Sequence, residues 1–393
     1  MPVMRENTLV PEHLQVHSMT LFPGMVSASR ADMFASEIGQ ATVLFGSDVR
    51  RLLTGAERKY GEYTEKVIIP ANATIVKVIY KRPPDVFLAS RVPPLKTVIY
   101  QEVETGAYGY VGIPVYASNH QQFGFDYKLT TAGQEVAPGR NYPKDTVLAH
   151  SNSIDHNGNY KFGINGKIAF MSINDVAQDG AIISKSFARR ARFKGYGTRT
   201  LSFGGDLFGL NLSGNDDVYK IFPDIGERLP EDGLLFAVRK FDPDIAAVQL
   251  SRKGLKRWGL TDKRTYGHGG ATVIGVEVTH NPMVKNSGLP NEFSTQCRKY
   301  LASERKYYEE ILEVLQTIRR ETGNRNPLLT PPLRELMRSA VGVIQSGSPG
   351  NTAINYVGAG GAPLNEYTVT ITYSYDLEPN TRFKLADCQG GIS

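Results

Sequence analysis

One carboxylate in this chain is placed so that its position would be fixed. Residues 163–185 read Gly-Ile-Asn-Gly-Lys-Ile-Ala-Phe-Met-Ser-Ile-Asn-Asp-Val-Ala-Gln-Asp-Gly-Ala-Ile-Ile-Ser-Lys. The apolar stretch Lys167 to Met171 predicts a strand, a polar loop then carries Asp179, and a second apolar run, Ala181-Ile182-Ile183, leaves it. Burial of Ile, Phe and Met on both sides would hold the Asp179 charge rigidly, as a reaction site requires. Arg189, Arg190, Arg192, Lys194 and Arg199 follow directly and alternate with Phe193 and Tyr196. A second basic group, Arg252, Lys253, Lys256, Arg257, Lys263 and Arg264, surrounds Trp258, the single tryptophan. Cations neutralise phosphates and rings stack on bases, so this interleaving suits a nucleic-acid strand. Its plainer reading is a solvated charged face.

Other chemistries lack their residues. Gly163-Ile164-Asn165-Gly166-Lys167 has the wrong spacing for a phosphate-binding P-loop and leads into a predicted strand rather than a helix. His13 and His17 are four apart, but Leu14 and Val16 between them predict an extended segment, and there is no HExxH. Asp216-Asp217 and Asp242-Pro243-Asp244 read as turns. Glu57 and Arg58 read as an internal ion pair. No nucleophile and base can be paired, which disfavours a self-sufficient hydrolase.

The elements that must position these residues are mostly strands. Ala31 to Val43 is helix-compatible, whereas Glu65 to Ile182 has β texture in Val67-Ile68-Ile69, Thr74 to Tyr80 and Thr97 to Tyr100. Asp232 to Val238 and Ala271 to Val276 predict further strands, and Tyr367 to Tyr375 alternates Val369, Ile371, Tyr373 and Tyr375 with Thr and Ser. The clearest helix runs from an N-cap at Ser294 or Thr295 to Glu321, with Gly323 as its stop. Leu301, Tyr308, Ile311, Leu315 and Ile318 form its apolar stripe. Pro331-Pro332 starts a second helix bearing Leu333, Leu336, Met337, Val341 and Ile344. The pair reads as a helical hairpin or as a coiled-coil docking surface. Glycines at 347, 350, 358, 360 and 361 mark 346–365 as a linker.

With 393 residues, 41% hydrophobic and 21% charged, the chain can bury a sizeable core and is globular in composition. The net charge of +6 permits phosphate contacts without demanding them. Two cysteines, Cys297 and Cys388, can build neither a disulfide framework nor a zinc site, which points to a reducing compartment. The first residues lack a signal-peptide core, and no apolar run approaches a membrane span.

Several blocks, taken in order, resemble the β subunit of multisubunit DNA-directed RNA polymerases. Ala169-Phe170-Met171, Asn174, Asp179 and Ser184 match that family's apolar strand, Asn, Glu-Asp and following Ser, with Gln178 where the family has Glu. Arg30 to Ala41 is similar to its Arg-Ala-x-Met-x-Ala and Gln-Ala segment, and Thr54-Gly55-Ala56-Glu57-Arg58 to its Thr-Gly-x-Glu-Arg. The strand 367–375, the turn at Glu378-Pro379-Asn380 and Lys384-Leu385-Ala386 resemble the strand, Pro turn and Lys-x-Ala that run on into Arg-His-Gly-x-Lys-Gly. Here Cys388-Gln389-Gly390-Gly391-Ile392-Ser393 stands instead.

The resemblance implies a mainly β fold with helical insertions: a double-psi β-barrel core over 1–186, a flap-like insertion over 187–365 containing the helical hairpin, and a return strand over 366–393. Nucleotide addition moves negative charge onto a leaving pyrophosphate, so its site needs cations on the triphosphate. By family position Arg30 would hold that triphosphate, Gln40 would lie near the RNA 3′ end, Asp179 beside the second metal, and Lys384 against the RNA end and nucleotide phosphates. Arg189, Arg190, Arg192, Lys256 and Arg257 would contact nucleic acid. Mg2+ would be held mainly by Asn-Ala-Asp-Phe-Asp-Gly-Asp on a β′-like partner, a motif this chain lacks. The implied partners are that subunit, N- and C-terminal β fragments, template DNA, RNA and nucleoside triphosphates, with no membrane. The implied protein is the central piece of a split β subunit like those of large bacteriophages, cytoplasmic or packaged in a virion. The alternative is a non-catalytic nucleic-acid-binding or structural virion protein retaining the fold.

Overall fold

The computed structural model describes residues 16–63, 65–81, 95–120, 122–169, 182–241, 254–256, 259–281, 284, 289–323, 326–346 and 365–379. Two helices, α1 (Ala28–Gly39) and α2 (Ala56–Tyr63), open the chain. The first half then supplies β1 (Lys66–Ile68), β2 (Ala73–Lys81), β3 (Leu95–Glu102), β4 (Tyr108–Ile113), β5 (Tyr116–His120), β6 (Phe123–Asp126) and β7 (Lys128–Leu129). After the single-turn α3 (Thr131–Gln134) come β8 (Asn141–Tyr142), β9 (Val147–His150) and α4 (Lys185–Arg190). The second half contains β10 (Phe193–Phe203), β11 (Leu207–Gly209), β12 (Leu234–Lys240), β13 (Lys263–Tyr266), β14 (Thr272–His280), α5 (Thr295–Glu321), α6 (Pro331–Ser346) and β15 (Tyr367–Leu377).

The protein is mainly β. Its strands form four antiparallel sheets: β1-β9-β7, β4-β3-β2-β8, β14-β15-β10-β6-β5 and β11-β12-β13. In the five-stranded sheet β10 and β15 pair over their whole lengths, from Phe193 opposite Leu377 to Phe203 opposite Tyr367. That sheet draws strands from all three blocks separated in the sequence, joining 123–126, 193–203, 272–280 and 367–377. The boundaries at 186/187 and 365/366 therefore fall within the connections of one sheet.

Side-chain period explains how the sheets are buried. Successive strand residues face opposite ways, so Val98 and Tyr100 of β3 enter one core while Ile99 enters another. In β2 a register shift between Ile75 and Lys77 inverts the alternation, sending Ile75 to the first core and Ile79 to the second. A shift at Val273/Gly275 in β14 likewise lets Val273, Val276 and Val278 all reach the core beneath β10 and β15. Gly195 and Gly197 of β10 lie under the rings of Tyr375 and Tyr373, where a Cβ would meet ring carbons at 2.6 and 2.4 Å. Glycine is required there by space.

The helical hairpin is present, and α5 ties two sheets together. Its N-terminal half (Cys297, Tyr300) packs with β10, β14 and β15, and its C-terminal half (Tyr307, Ile311, Leu315, Ile318) packs with α6 and the β2–β4 sheet. Buried positions begin at Gln296, Cys297 and Tyr300 and continue through Glu304 and Tyr307, so Leu301 and Tyr308 lie at the stripe's edge rather than its centre. Glu304 is buried because Lys81 of β2 meets it at 2.6 Å, and Thr97 and Tyr307 share a 2.6 Å hydrogen bond beside it. Gly323, with φ +66°, ends the helix as expected. Residues 347–364, read as a linker, lie outside the described residues. Among the described residues no helix is long and apolar enough to cross a membrane.

Candidate functional site

Helix α1 carries two of the expected residues. Phe34, Ala35 and Ile38 turn inward onto a small core with Tyr60, Ile154, Tyr160 and Phe162. Arg30, Met33 and Glu37 therefore lie on the exposed side, with Gln40 at the helix's C-terminal end. Arg30 and Gln40 are about 15 Å apart along the axis at 1.5 Å per residue. Among the described residues the Arg30 guanidinium meets Met33 Sδ, at 3.8 Å, and the residue is exposed.

The chain leaving α1 docks on the start of β10. Leu44 bridges Phe193, and the Phe45 N–H donates to the Arg192 carbonyl at 2.9 Å. Asp48 then binds three ways: its N–H donates to the Gly163 carbonyl at 2.6 Å, and its carboxylate accepts from the Asn165 N–H at 3.0 Å and from Arg190 at 2.7 Å. Helix α4 is capped by Ser184, whose hydroxyl accepts the Phe187 N–H at 3.2 Å. Arg189 and Arg190 occupy its last turn, where the helix dipole favours cations.

The basic run is partly committed. Besides the Arg190 bridge to Asp48, Lys194 lies 3.1 Å from Asp126 and 3.8 Å from Asp376, joining β6, β10 and β15. Tyr196 also donates to Asp126 at 3.0 Å, and burial with that carboxylate nearby raises its phenol pKa. Arg199 donates to the Tyr266 carbonyl at 3.1 Å and so reaches β13, the strand that carries Lys263 and Arg264. Arg189 is exposed, and Arg192 lies over the Phe45 ring, 5.8 Å from its centroid. In the second group Lys256 is 3.6 Å from Asp216, while Lys263 and Arg264 are exposed on β13. Arg239 anchors that region by a bidentate bridge to Asp262 at 2.9 and 2.7 Å.

Asp179, Lys384, Arg257 and Trp258 lie outside the described residues. Phe193 pairs with Leu377, so β10, entered from α4, and the end of β15 meet at one end of the ladder. The Gln40 segment meets that end through Leu44.

Three local expectations are corrected. Residues 167–169 are not in a strand, and Ile168 is 78% exposed, because this stretch is tethered by Asp48 and Val49 through Asn165 instead of by a neighbouring strand. Glu57 pairs with Arg50 at 2.8 Å, not with Arg58, which is exposed. Residues 16–18 are helical rather than extended, and His17 meets Asp32 at 2.9 Å.

Two glutamates, the buried Glu57 and the partly buried Glu65, have surroundings that the sequence reading did not find. Glu57 accepts from Arg50, from the Thr54 N–H and hydroxyl, and from the Gly55 N–H at 2.9 Å, while Arg50 also lies 4.6 Å from the Phe162 ring centroid. Burial pushes its carboxyl up, but the Thr54 hydrogen bonds and the Arg50 charge outweigh this and lower its pKa. Glu65 is packed with Ser151 and Ser153, and burial pushes its pKa up to about 7 against the hydrogen bonds from those serines. Position N2 of a helix was a signal for Glu57; nothing in the spacing marks Arg50 or the serines. A separate cleft of about 230 Å³ is lined by Lys220, Asp224, Gln296 and Tyr300, among others. Its polar groups satisfy one another, Asp224 accepting from Lys220 at 2.6 Å, Gln296 at 2.9 Å and Tyr300 at 3.0 Å.

No family model matches the chain, and no curated protein matches it.

Proposed function

We propose that this chain is a β-type component of a multisubunit DNA-directed RNA polymerase, cytoplasmic and active only in a complex. The observation that carries the reading is the junction at Phe193. The segment after Gln40, the basic run 189–194 and the end of β15 meet there. The motifs bearing Arg30, Asp179 and Lys384 gather about that junction in this reading. In this reading the strands belong to a double-psi barrel core, and 187–365 forms the flap-like insertion.

The chain's own contribution is to bind and orient. Arg30 and Lys384 hold nucleotide phosphates, Gln40 lies by the RNA 3′ end, and Asp179 lies beside the second metal. Arg189, Arg190, Arg192, Lys256 and Arg257 follow the nucleic-acid backbone, where each cation neutralises phosphate charge. Bound Mg2+ neutralises charge on the reacting oxygens. The described carboxylates at the junction do not fit it, since Asp48 is paired with Arg190, and Asp126 and Asp376 with Lys194. The reading assigns its ligands mainly to a β′-like partner.

The test is reconstitution with co-purifying subunits. Arg30→Ala is expected to lower kcat/KM for nucleotides by roughly tenfold or more, with assembly intact. Unchanged kinetics remove Arg30 from the site. A chain that co-purifies only with structural proteins and without RNA synthesis is instead the non-catalytic virion or nucleic-acid-binding protein.

A further inference from the structure

Arg190 and Arg192 are not loose surface cations, although both are exposed. Arg190 is the last residue of α4, and its Nη2 donates to Asp48 Oδ2 at 2.7 Å. Arg192 Nε donates to the Arg189 carbonyl at 3.2 Å, and its guanidinium lies 5.8 Å from the Phe45 ring centroid. The groups that hold them are fastened in turn. The Phe45 N–H donates to the Arg192 carbonyl at 2.9 Å, and the Asp48 N–H to the Gly163 carbonyl at 2.6 Å. Asp48 Oδ2 also accepts the Asn165 N–H at 3.0 Å, while Asn165 Nδ2 donates to the Val49 carbonyl at 2.8 Å. The Asp48 carboxylate therefore has a fixed place from which to aim Arg190.

A carboxylate beside an arginine acts on an incoming anion in two opposite ways. Its charge offsets the cation and weakens the attraction. Its hydrogen bond takes one nitrogen and fixes the guanidinium plane, so less side-chain freedom is lost when phosphate meets the other donors. Arg239 shows the purely structural form, with Nε and Nη2 both taken by the buried Asp262 at 2.9 and 2.7 Å. Asp48 instead meets Arg190 through a single nitrogen, and the Arg190 side chain is 53% exposed. We infer that Asp48 is a positioning residue for Arg190, setting its other donors for the phosphodiester backbone of a nucleic-acid strand. The inference rests on the nucleic-acid part of the proposed function. Lys194 has no such role, because Asp126 and Asp376 hold it at 3.1 and 3.8 Å.

Charge and position predict opposite signs. Fluorescence anisotropy follows binding of a labelled single-stranded RNA oligonucleotide to the full chain, with thermal midpoints recorded in the same buffer. Asp48→Ala removes a negative charge beside the basic run, so charge alone predicts tighter binding. Loss of positioning predicts binding weaker by roughly threefold or more, which is the expected result. Asp48→Asn keeps an oxygen for both Arg190 and the Asn165 N–H, since both bonds end on Oδ2, and is expected to restore wild-type or tighter binding. In an Arg190→Ala background, Asp48→Ala is expected to add less than about a twofold loss, because it acts through Arg190. Unchanged or tighter binding by Asp48→Ala overturns the inference. So does an equal loss in the Arg190→Ala background, which marks a general effect on the fold. If neither Arg190→Ala nor Arg189→Ala with Arg192→Ala weakens RNA binding, the nucleic-acid reading of the run fails together with it.

Discussion

The two sides of the Phe193 junction are held by different means. On one side β10 and β15 share an unbroken register from Phe193 to Phe203, with tyrosine rings seated on glycines. On the other, α1 rests on a few side chains around Tyr60 and Tyr160, and the segment after it is fastened by Asp48 and by the buried Arg50–Glu57 pair. The ladder spreads its stabilisation over many small contacts, whereas the N-terminal side concentrates it in a few charged groups. Rigid sheets commonly aim loops that carry function. Here the side presenting Arg30 and Gln40 is the one whose integrity depends on individual ionisable residues.

The comparison breaks most easily at Glu57. Glu57→Ala leaves Arg50 half-satisfied in a buried position and is expected to cost about 3–5 kcal/mol, with a lowered urea midpoint. A loss below about 1 kcal/mol would mean the N-terminal side is not held by this pair. Because the folded Glu57 pKa is lowered, its contribution is present above the ordinary carboxylate range and is lost on acidification.

Glu65 sharpens the contrast by behaving oppositely. Its folded pKa of about 7 exceeds the ordinary 4.5, so the native state binds the extra proton between these values. Stability should be greatest below about pH 4.5 for this group and fall as pH rises through 7, by at most about 3 kcal/mol. Denaturant midpoints at pH 5 and pH 8 should differ less in Glu65→Gln than in the wild type. An identical pH slope in the two proteins would remove Glu65 as the source.

On the ladder side, Gly197→Ala drives a methyl into the Tyr373 ring and should cost about 1–3 kcal/mol, seen as a lower thermal midpoint. The smallest effect belongs to the exposed bridge of Arg190 with Asp48, where Arg190→Ala should change stability by about 0–1 kcal/mol. In the nucleic-acid reading the same variant should weaken oligonucleotide binding and reduce its salt dependence by roughly one counterion, measured by fluorescence anisotropy. Unaltered binding would confine Arg190 to a structural role.

Much of the architecture was legible because period and punctuation are local. The alternation at 367–375, the β texture at 74–80 and the helix from Thr295 to Glu321 all match their sequence patterns. Lys167 to Ala169 misled because an apolar run cannot reveal whether a neighbouring strand is there to cover it, and here Ile168 is exposed. Glu57 misled because adjacency to Arg58 is visible in sequence, whereas Arg50 reaches it only when the chain turns back.

The sequence by itself determined the mainly β character, the hairpin of two helices and the clustering of basic with aromatic residues, since each follows from spacing along the chain. Tertiary structure alone decided which strands became neighbours and which cations were committed to carboxylates. It also decided that Leu44, Phe193 and Leu377 would meet, because strand pairing joins backbone groups regardless of their separation in sequence.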